Sequence, residues 1–98
     1  MGTRLSAGDI ETRLEAMPGW KSDGRSICRT FEFQDFPEAF AFMTKVARIS
    51  ENLNHHPDWS NSYRRVVIHL TTHAQGGVTE LDLEMAEAID AVIGPRCG

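Results

Sequence analysis

Residues 58–82, DWSNSYRRVVIHLTTHAQGGVTELD, pass from strand to helix periodicity within 25 positions, and that change decides the fold. Val66, Ile68 and Leu70 alternate with Val67, His69 and Thr71, the period-2 pattern of a strand with one buried face. The run from Asp58 to Tyr63 reads as its hairpin partner, a weak strand because Ser60, Asn61 and Ser62 interrupt it. Gly76-Gly77 marks a tight turn. A helix then opens at Thr79, with Asp82 three residues on as a capping-box acid and Val78 and Leu83 as the hydrophobic staple. Met85, Ala86, Ile89, Val92 and Ile93 form its buried face, and Gly94 and Pro95 stop it.

Working outward, a second helix precedes this unit. It begins at Asp35, with Pro37 in its first turn and Glu38 three residues after the cap. Phe36, Ala39, Phe40, Met43, Val46, Ala47 and Leu53 lie along one stripe, with Phe42 and Ile49 on a second flank. Pro57 ends any helix by about His55 or His56. Further upstream, Trp20 to Asp23 and Ser26 to Phe33 read as a hairpin around Asp23-Gly24. Ile27, Arg29, Phe31 and Phe33 alternate with Cys28, Thr30 and Glu32. The first helix starts at Ser6 with Asp9 as its box acid and Leu5 with Ile10 as staple. It carries Ile10, Leu14 and Met17 on one side until Pro18-Gly19. The order is α-β-β-α-β-β-α. Hairpins imply an antiparallel sheet, so the expectation is an α+β fold, four strands with three helices on one face. The other face is half polar and wet.

With 98 residues the chain is a single domain, 1–98, with no repeat or linker. The formal charge is −4 and no basic cluster exceeds Arg64-Arg65, which argues against a direct nucleic-acid reader. No apolar run approaches the length of a membrane helix and no signal-peptide core follows Met1, so no membrane partner is expected. Cys28 and Cys97 lack the spacing of a disulfide scaffold or zinc ribbon and read as reduced thiols of a cytoplasmic protein. The start MGTRLS matches the loose myristoylation pattern at Gly2, but Ser6 is better explained as a helix cap.

Three of the four histidines fall at element ends, His55 and His56 ending the second helix and His73 ending the last strand. His69 points from mid-strand to the polar face and is given no role. Each has a structural reading: a histidine at a helix C-terminus favours the dipole, His73 suits a turn, and Asp82 caps. Glu51 could pair on the helix surface, and Trp59 and Tyr63 could fill the core. A metal site built from the three histidines with Asp58 or Asp82 has suitable donor chemistry. Adjacent side chains on a helical turn diverge by about 100°, however, so His55 and His56 would rarely share an ion. No HExxH or paired CxxC is present, and neither are GxGxxG or P-loop patterns, so neither a metal nor a nucleotide cofactor is indicated. Beside the metal site, acid–base chemistry by histidines, which as a residue type titrate near neutral pH, is the second sharp reading. The free N–H groups of the Gly76-Gly77 turn could receive an electron-rich group of a ligand.

Glu51-x3-His55-His56-Pro57, Tyr63, His73 and Asp82 together resemble the signature of the pterin-4a-carbinolamine dehydratase family. Five residues separate Pro57 from Tyr63, nine separate Tyr63 from His73, and eight separate His73 from Asp82. NHHPDW, the Y-x-x-V-x-I-x-L-x-T-H run and GGVTELD agree with it, and the resemblance covers about residues 5–93.

That resemblance implies a metal-free and cofactor-free hydro-lyase. Its reaction is the dehydration of 4a-hydroxytetrahydrobiopterin to quinonoid dihydropterin, in tetrahydrobiopterin recycling. It implies a pterin pocket with His55, His56, His73 and Asp82 as the catalytic set, and with Glu51, Asn54, Pro57 and Trp59 as substrate-binding residues. His55 and His73 are expected to carry the proton transfers, with His56 polarising the pterin, Asp82 orienting and Glu51 supporting. The family forms homodimers that extend the sheet, and homotetramers. One member doubles as a dimerisation partner of a transcription factor, so a protein-binding module is the alternative, as is a pterin protein of molybdenum-cofactor metabolism. One departure is Ala74-Gln75, where the family often carries aspartate directly after the third histidine. It leaves open what holds His73.

Overall fold

Val66, Ile68 and Leu70 have no solvent exposure, as the alternation predicts. The computed structural model describes residues 3–93. In chain order its elements are α1 (Ala7–Leu14), β1 (Lys21–Ser22), β2 (Ile27–Glu32), α2 (Phe36–Leu53), β3 (Asp58–Ser62), β4 (Arg65–Leu70) and α3 (Glu80–Ile93). A 3-10 turn, His73–Gln75, separates β4 from α3. The strands form one sheet, ordered β1-β2-β4-β3, with every neighbouring pair antiparallel. The α+β expectation and its element order hold. Gly2, the stop at Gly94 and Pro95, and Cys97 lie outside the described residues. No helix among the described residues is long and apolar enough to cross a membrane.

The two hairpins are closed by side chains of their own turns. Asp23 Oδ1 accepts from the N–H groups of Arg25 and Ser26 at 2.9 and 2.8 Å, while Gly24 takes φ 93°. These bonds hold the Asp23 carboxyl below its ordinary range, Arg25 contributing most. At the other hairpin, Asn61 Nδ2 donates to the carbonyls of Tyr63 and Arg65 at 3.1 and 2.9 Å. The weakest-looking stretch of β3 therefore supplies its own turn clamp. Tyr63, in the left-handed region at φ 53°, is exposed and no part of the core.

On one sheet face Ile27, Phe31, Val66, Ile68 and Leu70 join Ile10, Leu14, Val46, Leu83, Met85 and Ile89 in a single core. Phe31, Phe33 and Phe42 pack ring against ring, with centroids 4.7–4.9 Å apart across the two contacts made by Phe42. At its polar edge Asp90 Oδ1 accepts from Trp20 Nε1 and Arg29 Nη1, at 2.9 and 2.8 Å, so the mid-strand Arg29 is paired as it enters the core face.

The strands of the first hairpin are one residue shorter at each end than expected, β3 stops one residue early at Ser62, and two helix ends and one helix face also differ from the sequence expectation. α1 ends at Leu14; Met17 is buried from a following turn, its N–H on the Leu14 carbonyl at 2.9 Å. Pro18 cannot donate, so the chain tightens into three-residue turns before it. α2 ends at Leu53, placing His55 and His56 beyond the helix rather than in its last turn. The buried face of α2 is Ala39, Phe42, Val46 and Ser50, not the stripe through Phe36 and Phe40. Phe42 is drawn inward by Phe31 and Phe33, which rotates Phe36 and Phe40 outward, where their rings meet at a tilt of 32° with centroids 5.7 Å apart. Ser50 tolerates burial because its Oγ donates to the Val46 carbonyl at 2.9 Å.

Candidate active site

The end of α2 aims the first histidine. Asn54 adopts the left-handed conformation (φ 52°, ψ 45°). Its N–H reaches the Glu51 carbonyl at 3.3 Å, and the His55 N–H reaches the Ser50 carbonyl at 3.0 Å. Those two bonds are a Schellman cap with Asn54 at the left-handed position. The backbone of His55 is thereby fixed to the helix, and its side chain extends towards the start of α3.

There His55 Nε2 lies 2.5 Å from Asp82 Oδ1. Asp82 has no solvent exposure, and the His55 side chain only 10%. The other carboxyl oxygen, Oδ2, accepts from the Thr79 N–H and the Thr72 hydroxyl, each at 2.9 Å. Thr72 and Thr79 hydroxyls stand 2.8 Å apart. Since the single hydroxyl hydrogen of Thr72 goes to Asp82, Thr79 donates to Thr72. A carboxyl group with no solvent exposure thus has partners on both oxygens, as burial of a polar group requires, and lies at the start of a helix. Asp82 performs the capping-box task expected from its spacing and also holds an imidazole. Acceptor character at Oδ1 places the proton of a neutral His55 on Nε2.

The remaining two histidines are built the same way but in water. His56 Nε2 turns back to Glu51 Oε2 at 2.6 Å, with side chains 57% and 77% exposed. His73 opens the 3-10 turn, which is closed behind it by a bridge between Thr72 and Gly77 and by Gly76 at φ 75°. Its Nε2 meets Asp58 Oδ2 at 3.1 Å. Ala74, the next residue, carries no polar side chain. Thr72 donates its hydroxyl to Asp82, the partner of His55, and immediately precedes His73 in the chain.

Of the expected residues, the structure joins His55 to Asp82 and His56 to Glu51. Asn54 acts as the cap. Pro57 is half-buried between the histidine pair and β3. Trp59 is half-buried against the core, in register with Ile68. Asp58, Thr72 and Thr79 had no assigned place in the pterin site. All three stand in the motif runs NHHPDW, Y-x-x-V-x-I-x-L-x-T-H and GGVTELD, and Thr79 was read as a helix cap, but the local pattern does not show that Thr72 and Asp58 reach Asp82 and His73. A cleft of about 280 Å³ is walled by Arg25, Ser26, Thr71, His73 and Gly76; His55 and His56 are not in its wall. Among the described residues no three His, Cys, Asp or Glu side chains are grouped as a metal ion would require.

Residues 3–92 match the family model described as Pterin 4 alpha carbinolamine dehydratase. A Bradyrhizobium sp. (strain ORS 278) protein named "Putative pterin-4-alpha-carbinolamine dehydratase" is 53% identical over 100 residues, covering 100% of both chains. A protein of the same name from Prochlorococcus marinus (strain NATL2A) is 45% identical over 95% of this chain and 98% of its own. Among solved structures, a transcriptional coactivator/pterin dehydratase from Brucella melitensis superposes with a TM-score of 0.89 at 46% identity, covering 94% of this chain and 100% of that one. A pterin dehydratase-like protein identified as a RuBisCO assembly factor shares the fold alone, with a TM-score of 0.67 at 24% identity over 78% of this chain and 90% of its own. With the motif residues in place and the match running through the whole described fold, the chain belongs to the pterin-4a-carbinolamine dehydratase family.

Proposed function

We propose that the protein dehydrates 4a-hydroxytetrahydropterins to quinonoid dihydropterins, as a cytoplasmic step of tetrahydrobiopterin recycling. The observation that carries this reading is the buried Asp82 carboxyl group 2.5 Å from His55, with its other oxygen bonded by Thr72 and Thr79. Dehydration breaks the C4a–O bond, and the hydroxyl departs as water with one added proton. The N5 proton is lost, and its bonding pair becomes the N5=C4a double bond. One acid and one base therefore suffice. His55 and His73 carry the two transfers, each typically worth about 10²–10⁴-fold. His56, held by Glu51, binds and polarises the pterin, and Asp82 keeps His55 in one tautomer as the orienting acid of a catalytic triad does. Mixing a 4a-hydroxytetrahydropterin with the protein and following its ultraviolet spectrum tests the reading. Decay must be faster than in buffer; equal decay refutes it.

A homodimer or homotetramer is the proposed assembly. In support, β3 is an edge strand, and the paired Phe36 and Phe40 are 41% and 55% exposed on the outer face of α2. The same ring pair favours a second reading, docking of a partner protein's apolar helix, in keeping with the similar Brucella protein being a transcriptional coactivator/pterin dehydratase.

A further inference from the structure

Each of the three site histidines turns the same ring nitrogen, Nε2, to a carboxylate: His55 to Asp82, His56 to Glu51, His73 to Asp58. The first two carboxylates come from the helices that flank the site. The third belongs to the first residue of β3, which the pterin reading leaves without a task. We propose that Asp58 is the positioning residue of His73, fixing which nitrogen of that imidazole faces the substrate. This inference deepens the dehydratase reading and, in its kinetic half, rests on it.

Geometry carries the argument. Asp58 stands on the first rung of the β3–β4 ladder, opposite His69, so its backbone is set by the sheet. The backbone of His73 is set by the turn that Thr72 and Gly77 close. Two rigid segments thus hold the carboxylate and imidazole 3.1 Å apart. Both side chains are largely in water, 78% and 62% exposed, where an ion pair contributes little to stability. What the contact does supply is orientation. The ring torsion of a free histidine is broad and roughly two-fold, so either nitrogen could be presented to the cleft that His73 lines. A carboxylate accepts only from a protonated nitrogen, so Asp58 selects the ring flip with Nε2–H outward and leaves Nδ1 for the reacting pterin. Ala74, next in the chain, has no group to do this.

The ¹⁵N shifts of the His73 ring nitrogens in the neutral protein read the selection without any substrate. In the wild type they should lie further apart than in free histidine, and in Asp58→Ala they should collapse to the free values. Asp58→Glu should restore most of the separation. With a 4a-hydroxytetrahydropterin, Asp58→Ala should lower kcat about tenfold, the lower end of the loss expected from removing a supporting partner, at unchanged KM. Asp58→Glu should recover it, with the urea unfolding curve unmoved in both variants. Wild-type shifts equal to free histidine, or shifts unaltered in Asp58→Ala, overturn the inference, as does an unchanged kcat once the shifts have collapsed. A wild type inert towards the pterin would instead contradict the dehydratase reading, leaving the shifts to decide the role of Asp58.

Discussion

Asp82 shows how much a single acceptor can settle. Replacement by alanine leaves the Thr79 N–H and the Thr72 hydroxyl without their acceptor inside the protein, at a cost of about 1–3 kcal/mol. Asp82→Asn is gentler on the fold, because its amide oxygen still accepts from Thr79 and Thr72. It places an NH₂ against His55 Nε2, however, and so demands the opposite tautomer. We expect Asp82→Asn to stay within about 1 kcal/mol of wild type in urea while losing on the order of 10²-fold or more in turnover. Equal turnover would remove Asp82 from the mechanism. At this scale the sequence was partly legible. His55, His56, His73, Glu51 and Asp82 stand in a recognisable spacing, and the capping role of Asp82 follows from Thr79 alone. Thr72 and Asp58 stand in the same motif runs, but their contacts were not legible, because those depend on which strand ends meet, and that is a matter of register.

Among the elements, the hairpins and helix starts were written locally, whereas the inward face of α2 was not. Asp23-Gly24, Ser6 with Asp9, and Asp35 with Glu38 each make the bonds their spacing suggests. Periodicity could not choose between Phe40 and Phe42, since both lie on apolar stripes; Phe31 and Phe33, distant in sequence, made the choice. The local bonds also set the acid response. Asp23 titrates below its ordinary value of 3.8, through the N–H groups of Arg25 and Ser26. Glu80 is held below 4.5 by its hydrogen bond with Arg13. Both groups thus bind protons more readily in the unfolded chain. The stability they contribute is fully present above those ordinary values and is lost as pH falls through the lower folded ones. Asp23→Ala should therefore flatten the decline of urea midpoint below about pH 4, relative to wild type. Parallel declines would show that the hairpin bonds carry no linkage.

For the molecule as a whole, α-β-β-α-β-β-α was readable from alternation and caps, but the strand order β1-β2-β4-β3 was not. The central β2–β4 pairing joins residues about forty apart and is chosen by the shared core of Ile27, Phe31, Val66 and Leu70. That core leaves Phe36 and Phe40 outside, and light scattering on the intact chain tests what covers them. A dimeric or tetrameric mass that falls in Phe40→Ser supports self-association through α2. A multimer indifferent to Phe40→Ser points to the β3 edge, and a monomeric wild type refutes the proposed assembly.

The central claim is that His55, aligned by a buried carboxyl group, moves a proton in pterin dehydration. Stopped-flow decay of a 4a-hydroxytetrahydropterin, with wild type and a folded His55→Ala variant side by side, tests it most directly. The account predicts wild-type decay well above the buffer rate and a loss of about 10²-fold or more in the variant. A folded His55→Ala protein that keeps the full rate would contradict it.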